Sequence, residues 1–156
     1  MGSIPIVSIS VVAGAAARRV RPPVSAPDHV TSLAPRADLE RTLARLAAAG
    51  DPFALVLCDV VGLKGTNERE GFHAGDERLR AAADRLRAAA ADATLLARLG
   101  GDELVAVCAD AGSARAIAAA LAAAGTPELR VAADGRRDDE PVAALVDRLY
   151  AMLRRS

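Results

Sequence analysis

The chain has few of the residues on which many structural and catalytic sites depend. Among its 156 residues there are no tryptophans, one tyrosine, two phenylalanines, two cysteines and two histidines. Cys58 and Cys108 each lie in an apolar run, which predicts two buried thiols and excludes a disulfide framework or a four-ligand zinc site. His29 and His73 are far apart and have no second ligand at helical spacing, so we expect both on the surface.

A surplus of charge is absent as well. The 20 basic and 20 acidic side chains give a formal net charge of +0, which argues against a general nucleic-acid or polyanion binder. The hydrophobic fraction of 52% excludes wholesale disorder, and the length is that of one domain. Because Pro22, Pro23 and Pro27 interrupt the chain, we predict a tail or linker over residues 1–26 and a folded domain over residues 27–156.

A long hydrophobic run is missing too. Residues 4–17 are apolar, but this stretch is shorter than the roughly 20 residues that cross a bilayer. It also has no basic residues before it, so we do not expect a secretory signal. We expect a cytoplasmic location. The segment can be the end of a membrane span, a strand or a tail. Membrane association is therefore open only to residues 4–17 or to a region missing before them.

Alanine and arginine are unusually frequent in the chain. The chain has 38 alanines, no glutamine, and 19 arginines beside a single lysine, Lys64. There is also a single asparagine, Asn67, three positions after that lysine. The alanine-rich stretches favour helices.

Hydrophobic periodicity and turn residues predict a mixed α/β (α+β) domain. The order strand, helix, hairpin, helix, strand is the ferredoxin-like β-α-β-β-α-β arrangement, with helices packed on one face of the sheet. The predicted elements are a helix over 36–49, a strand over 53–58, a helix over 76–90, strands over 94–99 and 103–108, a helix over 113–124, a strand over 129–133 and a helix over 140–154.

Acidic residues stand at two strand junctions. Asp59 follows the first strand, and Asp102 and Glu103 lie in the hairpin turn. If the first strand lies beside the hairpin, the three carboxylates converge at one end of the sheet, where they need a cation between them or raised pKa values. Oxygen ligands alone suit Mg²⁺. Gly100 and Gly101 let the backbone approach a ligand closely.

Four ordered segments are more specific than the acids alone. They read Asp28-His29-Val30-Thr31-Ser32-Leu33 with Arg36, Asp59-Val60-Val61-Gly62-Leu63-Lys64-Gly65-Thr66-Asn67, then Gly71, Gly75 and Asp76, and finally Arg98-Leu99-Gly100-Gly101-Asp102-Glu103-Leu104. Together these segments resemble the GGDEF family, the diguanylate cyclase domain. The resemblance covers about residues 28–150 and implies a nucleotide-cyclase or palm-like fold.

The resemblance implies the condensation of two GTP molecules to cyclic di-GMP and two pyrophosphates by a homodimer. Asp59 and Asp102, with the backbone carbonyl of Val60, would hold Mg²⁺ (or Mn²⁺), which neutralises the triphosphate. Glu103 would accept the proton of the 3′-hydroxyl or bind a second ion. Gly100 and Gly101 would approach the substrate.

The resemblance also assigns the residues that bind the nucleotide. Lys64 and the amides of Gly62 and Leu63 would meet phosphate, and Asn67 and Asp76 would bind the guanine edge. Each side chain has an alternative interpretation, since Lys64 can be an ordinary solvated lysine and Asn67 or Asp76 a helix cap.

Departures in the C-terminal part favour a second hypothesis, a catalytically degenerate GTP-binding or protein-interaction module. Leu153 falls where the family has a phosphate-binding lysine, with Arg154 and Arg155 following as candidate substitutes. Leu129–Ala133 stands where the family has a Ser-Ile-Gly-Val-Ala stretch, and the segment between Cys108 and Tyr150 is shorter than in the family. Nearer the acids, Val61 replaces an aspartate. Ala91 and Thr94 replace the Arg and Asp of the inhibitory product site, so feedback inhibition through that site is not expected. Milder replacements are Leu63, Phe72 and Leu104.

Overall fold

The computed structural model describes residues 25–123 and 125–156. The predicted tail over 1–26 therefore lies almost wholly outside the described residues, and the domain limits stay a prediction. The elements in chain order are α1 (Arg36–Ala48), β1 (Ala54–Val60), α2 (Leu63–Glu70), α3 (Phe72–Ala89), β2 (Leu95–Arg98), β3 (Glu103–Cys108), α4 (Ala111–Ala122), β4 (Leu129–Gly135) and α5 (Val142–Leu153).

The four strands form one antiparallel sheet in the order β2-β3-β1-β4. The predicted β-α-β-β-α-β arrangement is thereby confirmed, because β1 and β3 are central and each crossover passes over one neighbouring strand. The register places Asp59 of β1 opposite Glu103 of β3 on one side and opposite Arg130 of β4 on the other. The central strand therefore presents Asp59 between two partner strands.

Helices cover both faces of the sheet, which corrects the expectation of a single covered face. Alternate residues of a strand point to opposite faces, so Val56 and Cys58 of β1 pack with α3 and α4, whereas Leu55 and Leu57 pack with α1 and α5. The prediction holds for the crossover helices α3 and α4. It failed to include the flanking helices α1 and α5, which close a second core on the opposite face.

The segment between β1 and α3 contains a helix, α2, that is absent from the predicted elements. Gly62 adopts a left-handed φ of 72°, and α2 starts immediately after it, with Leu63 and Thr66 buried. Gly71, at φ 87°, separates α2 from α3, so the long helix begins at Phe72. Gly can adopt such angles without the steric cost of a Cβ. Asn67 and Asp76 consequently lie inside helices, so neither is the helix cap of the alternative interpretation.

Both thiols are free and buried, as predicted. Burial raises the pKa of Cys58 to about 12 and that of Cys108 to about 11, so neither is a reactive thiolate at neutral pH. His29 and His73 are exposed, also as predicted. Within the described residues, no helix has the length and apolarity that crossing a membrane requires.

Candidate functional site

The structure brings the three predicted carboxylates to one end of the sheet. Asp59 and Glu103 are directly opposite each other in the β1–β3 register. Asp102 is tied to the same place because the amide of Val60 donates to its carbonyl at 2.9 Å. Cross-strand partners in an antiparallel pair project to the same face, so the two strands deliver the acids side by side.

Arg98 holds the turn that carries Asp102 and Glu103. Its Nε donates to the carbonyl of Gly100 at 3.2 Å, and its Nη2 donates to that of Gly101 at 2.7 Å. The remaining nitrogen, Nη1, pairs with Asp28 at 3.1 Å. Two segments that are 70 residues apart in sequence are thus joined directly behind the site.

Asp28 is itself fixed by the loop in which it lies. Its Oδ2 accepts from the amide and the hydroxyl of Thr31, at 2.8 and 2.7 Å. Burial acts to raise the pKa of Asp28, but hydrogen bonds from Thr31 and the charge of Arg98 outweigh it, so the pKa is lowered. Asp28 is therefore an ionised anchor for the turn.

Gly100 makes room for the Glu103 carboxylate. A Cβ built on Gly100 would lie 2.8 Å from Glu103 Oε2, a contact that requires one of them to move. The backbone of Leu99 donates to the Glu103 carbonyl at 2.9 Å, which closes the turn around this contact. A Cβ on Gly101 would meet nothing within 4 Å, so that side of the turn is open.

Asp59 and Asp102 repel each other across the site. The pKa of Asp102 is raised, first by burial and then by the charge of Asp59 and a hydrogen bond with it. Burial and a neighbouring like charge both disfavour the ionised form of Asp102, in keeping with the raised pKa values expected for clustered acids. The end of the sheet is therefore short of positive charge.

Arg130 supplies part of that charge, and the sequence reading missed it. From β4 its Nε donates to Asp59 Oδ2 at 3.0 Å, and its Nη2 contacts the same oxygen. Arg130 is the exposed residue of β4, next to buried Leu129, but its partner depends on the β1–β4 register. That register is not readable from local sequence.

The last turn of α5 also reaches the acids. The pKa of Tyr150 is raised to about 12, by burial and then by a hydrogen bond with Glu103 and the charge of that carboxylate. The sequence analysis places Tyr150 at the end of the resemblance and predicts no role for it at the site. The structure adds its phenol to the surroundings of Glu103.

Lys64 stands apart from the carboxylates. Its side chain is 91% exposed and its ammonium lies 3.8 Å from Glu68, one turn further along α2. The Gly62–Leu63 backbone, by contrast, lies directly between the end of β1 and the start of α2. Its amides are at the N-terminus of a helix, where free N–H groups favour anions.

Asn67 is pressed against the start of α3. Its Oδ1 is buried without a hydrogen-bond partner, and a Cβ on Gly75 would lie only 1.7 Å from it. Asp76, the other predicted guanine ligand, is the next residue of α3 and is partly buried. Asn67 therefore lies against the residue that precedes Asp76, and its buried Oδ1 is left without a hydrogen-bond partner.

Leu153, where the resemblance expects a lysine, is 6% exposed and belongs to the core between α1 and α5. The side chain is therefore directed into the protein. Arg154 follows as the exposed C-cap residue, and its amide donates to the carbonyl of Tyr150 at 3.1 Å. It lies one helical turn beyond the residue that interacts with Glu103.

The donor set at the sheet end fits a hard divalent cation that is completed by substrate. Among residues 25–123 and 125–156, no group of three or more His, Cys, Asp or Glu side chains is placed to hold a metal ion. Two carboxylates are nevertheless adjacent, and burial together with the charge of Asp59 raises the pKa of Asp102. Mg²⁺ is usually held by one or two carboxylates with substrate phosphates. The residues present therefore fit Mg²⁺ or Mn²⁺.

Comparison with known proteins points to one family. A family model described as "Diguanylate cyclase, GGDEF domain" matches residues 25–135. The chain is 37% identical over 99 residues to an uncharacterized signaling protein of Caulobacter vibrioides, a match covering 61% of this chain and 12% of that protein. The chain thus spans about one-eighth of the length of this curated relative.

Two solved GGDEF domains are similar in fold. One is that of PA1120 (TpbB or YfiN) from Pseudomonas aeruginosa, with a TM-score of 0.66, 28% identity, and coverage of 82% of this chain and 86% of that one. The other is that of DgcB from Caulobacter crescentus in complex with c-di-GMP, with a TM-score of 0.63, 25% identity, and coverage of 84% and 86%.

Proposed function

The chain belongs to the GGDEF family, and on that premise we propose that it is a diguanylate cyclase, which condenses two GTP molecules into cyclic di-GMP and two pyrophosphates. The observation that carries the proposal is the meeting of Asp59, Asp102 and Glu103 at one end of the sheet. Phosphoryl transfer depends on positioning the reactants and on neutralising their negative charge. The carboxylates at this end of the sheet could do both by holding a metal ion.

GGDEF domains are in general metal-dependent, and we assign the ion of this chain as Mg²⁺ or Mn²⁺. Asp59 and Asp102 would hold it together with the backbone carbonyl of Val60. When bound, the ion supplies positive charge to the triphosphate and to the α-phosphorus. It would also relieve the repulsion that raises the pKa of Asp102.

Asn67 and Asp76 are assigned to the guanine base. The buried Asn67 Oδ1 is without a partner and lies against the start of α3. A ligand that offers an N–H there removes the cost of an unsatisfied buried acceptor. Guanine presents N–H donors at N1 and N2 and an acceptor at O6, a set that an amide and a carboxylate complement.

The triphosphate is assigned to the amides of Gly62 and Leu63, to Lys64 and to Arg154. The amides are positioned by the left-handed Gly62 and the N-terminus of α2. Lys64 is free to move, since its side chain is 91% exposed. Arg154 is the exposed residue at the end of α5, and Gly100 and Gly101 provide the turn beside which the substrate lies.

Glu103 is assigned as the general base. The 3′-hydroxyl oxygen of one GTP attacks the α-phosphorus of the other, its proton passes to the Glu103 carboxylate, and pyrophosphate leaves with the bonding electrons. Gly100 allows Glu103 to lie over the turn, and Tyr150 interacts with the same carboxylate. Because each domain binds one GTP, two domains must face each other, and a homodimer with two-fold symmetry supplies both half-sites.

The second candidate is a GTP-binding module that does not turn over its ligand. Two observations favour it: Arg130 already neutralises Asp59, and the residue at the expected lysine position, Leu153, is buried in the core. Under this hypothesis GTP would stabilise the protein and be recovered intact.

A GTP assay at high protein concentration tests both. We expect cyclic di-GMP and pyrophosphate with Mg²⁺ or Mn²⁺, and a loss of at least about 100-fold in Glu103→Gln, the scale of general-base catalysis. Asp92→Asn, an exposed residue before β2, is the matched control and should retain full activity. Absence of product, with intact GTP that still raises the melting temperature, would establish the second candidate. Equal activity of Glu103→Gln and the parent protein would refute the site assignment.

A further inference from the structure

We propose that Arg130 is a transferable cation of this site, which neutralises Asp59 while no divalent ion is bound and passes to the triphosphate when the ion and nucleotide enter together. The inference rests on the nucleotide and metal site of the proposed function. Its starting point is the β1–β4 register, which places Arg130 directly opposite Asp59. Side chains that are opposite each other in an antiparallel pair lie on the same face of the sheet.

The ion pair between Arg130 and Asp59 involves a single carboxylate oxygen and a well-exposed guanidinium. Both contacts of the Arg130 guanidinium end on one oxygen, Oδ2, of Asp59. Asp59 is 13% exposed in its side chain, whereas Arg130 is 50% exposed. In the part of the chain that the structure describes, Asp59 is the one hydrogen-bond acceptor recorded for this guanidinium. The half-exposed Arg130 guanidinium can therefore leave Asp59 without breaking any other hydrogen bond recorded for the described residues.

A divalent cation at Asp59 would compete with Arg130. Both neutralise the same carboxylate, and two positive charges within a few ångströms repel each other in a partly buried place. The Arg130 guanidinium contacts Asp59 through both Nε and Nη2, so it already occupies the side of the carboxylate that an ion would approach. Its presence must therefore weaken the binding of a divalent cation that arrives alone.

The nucleotide reverses this effect. A triphosphate carries more negative charge than one divalent cation neutralises, and a guanidinium offers a planar set of donors that matches phosphate oxygens. Arg130 is exposed and lies at the end of the sheet where the cation would bind. Once displaced from Asp59 it is available to the phosphates. The consequence is that the ion binds well only as a complex with the nucleotide.

Two binding measurements on the full chain test the proposal, and they should shift in opposite directions. Mn²⁺ binding without nucleotide is followed by the electron paramagnetic resonance signal of the free ion. Arg130→Ala should bind Mn²⁺ about fivefold more tightly than the parent protein, the scale of one half-exposed ion pair. The second ligand is the Mg²⁺ complex of 3′-deoxy-GTP, which lacks the attacking hydroxyl. Arg130→Ala should bind this complex about tenfold more weakly than the parent protein does, as expected for the loss of a charge-assisted phosphate contact.

Arg115→Ala is the matched control, since Arg115 acts on an aspartate, Asp110, at the opposite end of β3. It should change neither affinity. Arg130→Gln repeats the test with a side chain of similar length, in case alanine impairs folding, and melting curves report the fold of each variant. Asp59→Asn should abolish Mn²⁺ binding with or without Arg130.

Unchanged or weaker Mn²⁺ binding in Arg130→Ala and Arg130→Gln overturns the proposal, and so does unchanged binding of the nucleotide complex. Mn²⁺ binding that persists in Asp59→Asn also overturns it, because the ion would then bind elsewhere. Neither measurement requires turnover. A protein that binds GTP without cyclising it would fail the activity assay and still show both shifts.

Discussion

Gly75 lies in the first turn of α3 with its Cα facing the Asn67 side chain, and alanine at this position should weaken nucleotide binding at least as much as it destabilises the fold. The added Cβ would lie 1.7 Å from Asn67 Oδ1 and 2.8 Å from Cγ. No adjustment of a few tenths of an ångström removes such an overlap. The Asn67 amide must therefore rotate away from its place between α2 and α3.

The effect on stability is small because two contributions oppose each other. Alanine gains about 1 kcal/mol over glycine in a helix, and overpacking a buried position costs about 1–3 kcal/mol. The free energy of unfolding should thus fall by no more than about 2 kcal/mol. If Asn67 makes two neutral hydrogen bonds to guanine, their loss is worth about 2 kcal/mol, which weakens nucleotide binding by about 30-fold.

Isothermal titration with Mg²⁺ and 3′-deoxy-GTP measures the affinity, and urea unfolding measures the stability. Gly65→Ala in α2 is the matched control, because its Cβ would meet the end of the flexible Arg69 side chain at 2.8 Å. It should bind nucleotide as the parent protein does. In an Asn67→Ala background, Gly75→Ala should have little further effect on affinity, since the side chain it displaces is gone. An affinity of Gly75→Ala within about threefold of the parent protein would refute the assignment of Asn67 to the base.

Three further predictions concern the acidic end of the sheet. Arg98→Ala removes the partly buried pair with Asp28 and two hydrogen bonds to the turn, and should lower the free energy of unfolding by about 2–4 kcal/mol in urea; a loss below about 1 kcal/mol would contradict this role. The raised pKa of Asp102 means that its ionisation destabilises the metal-free fold. Asp102→Asn should therefore raise the melting temperature at pH 7, with a gain that shrinks as the pH falls toward 3.8, and a gain that is constant with pH would refute the raised pKa that burial and the charge of Asp59 give Asp102. Tyr150→Phe keeps the ring but loses the interaction with Glu103, so turnover of GTP should fall about tenfold while stability changes by less than about 1 kcal/mol; equal loss of nucleotide affinity would instead indicate a packing defect.

The elements that the sequence predicted correctly are those with a strong local signal. Central strand β1 is a continuous apolar run, and α3 and α5 carry leucines at helical spacing. Helix α2 was missed because its eight residues contain a glycine and few apolar side chains, and just Leu63 and Thr66 are buried. Its helical state depends on packing beside α3, which periodicity does not record.

The candidate site divides in the same way. Acids at strand ends and glycines in a tight turn are local features, so Asp59, Asp102 and Glu103 were predicted to converge if the first strand lies beside the hairpin. The β1–β3 pairing of the folded sheet meets that condition. The covering of the second sheet face by α1 and α5 was not predicted. These helices lie outside the β-α-β-β-α-β unit, so nothing in that unit specifies where they pack.

Local sequence was enough to predict the β-α-β-β-α-β order of elements, and four ordered segments were enough to predict the family. Three-dimensional packing alone decided which cations and hydroxyls stand beside those acids. Arg130 is 71 residues from Asp59, and Tyr150 is brought to Glu103 by the last turn of α5. Partners so distant in the chain are chosen by strand register and helix docking, which are set by burial of the whole core and not by neighbouring residues.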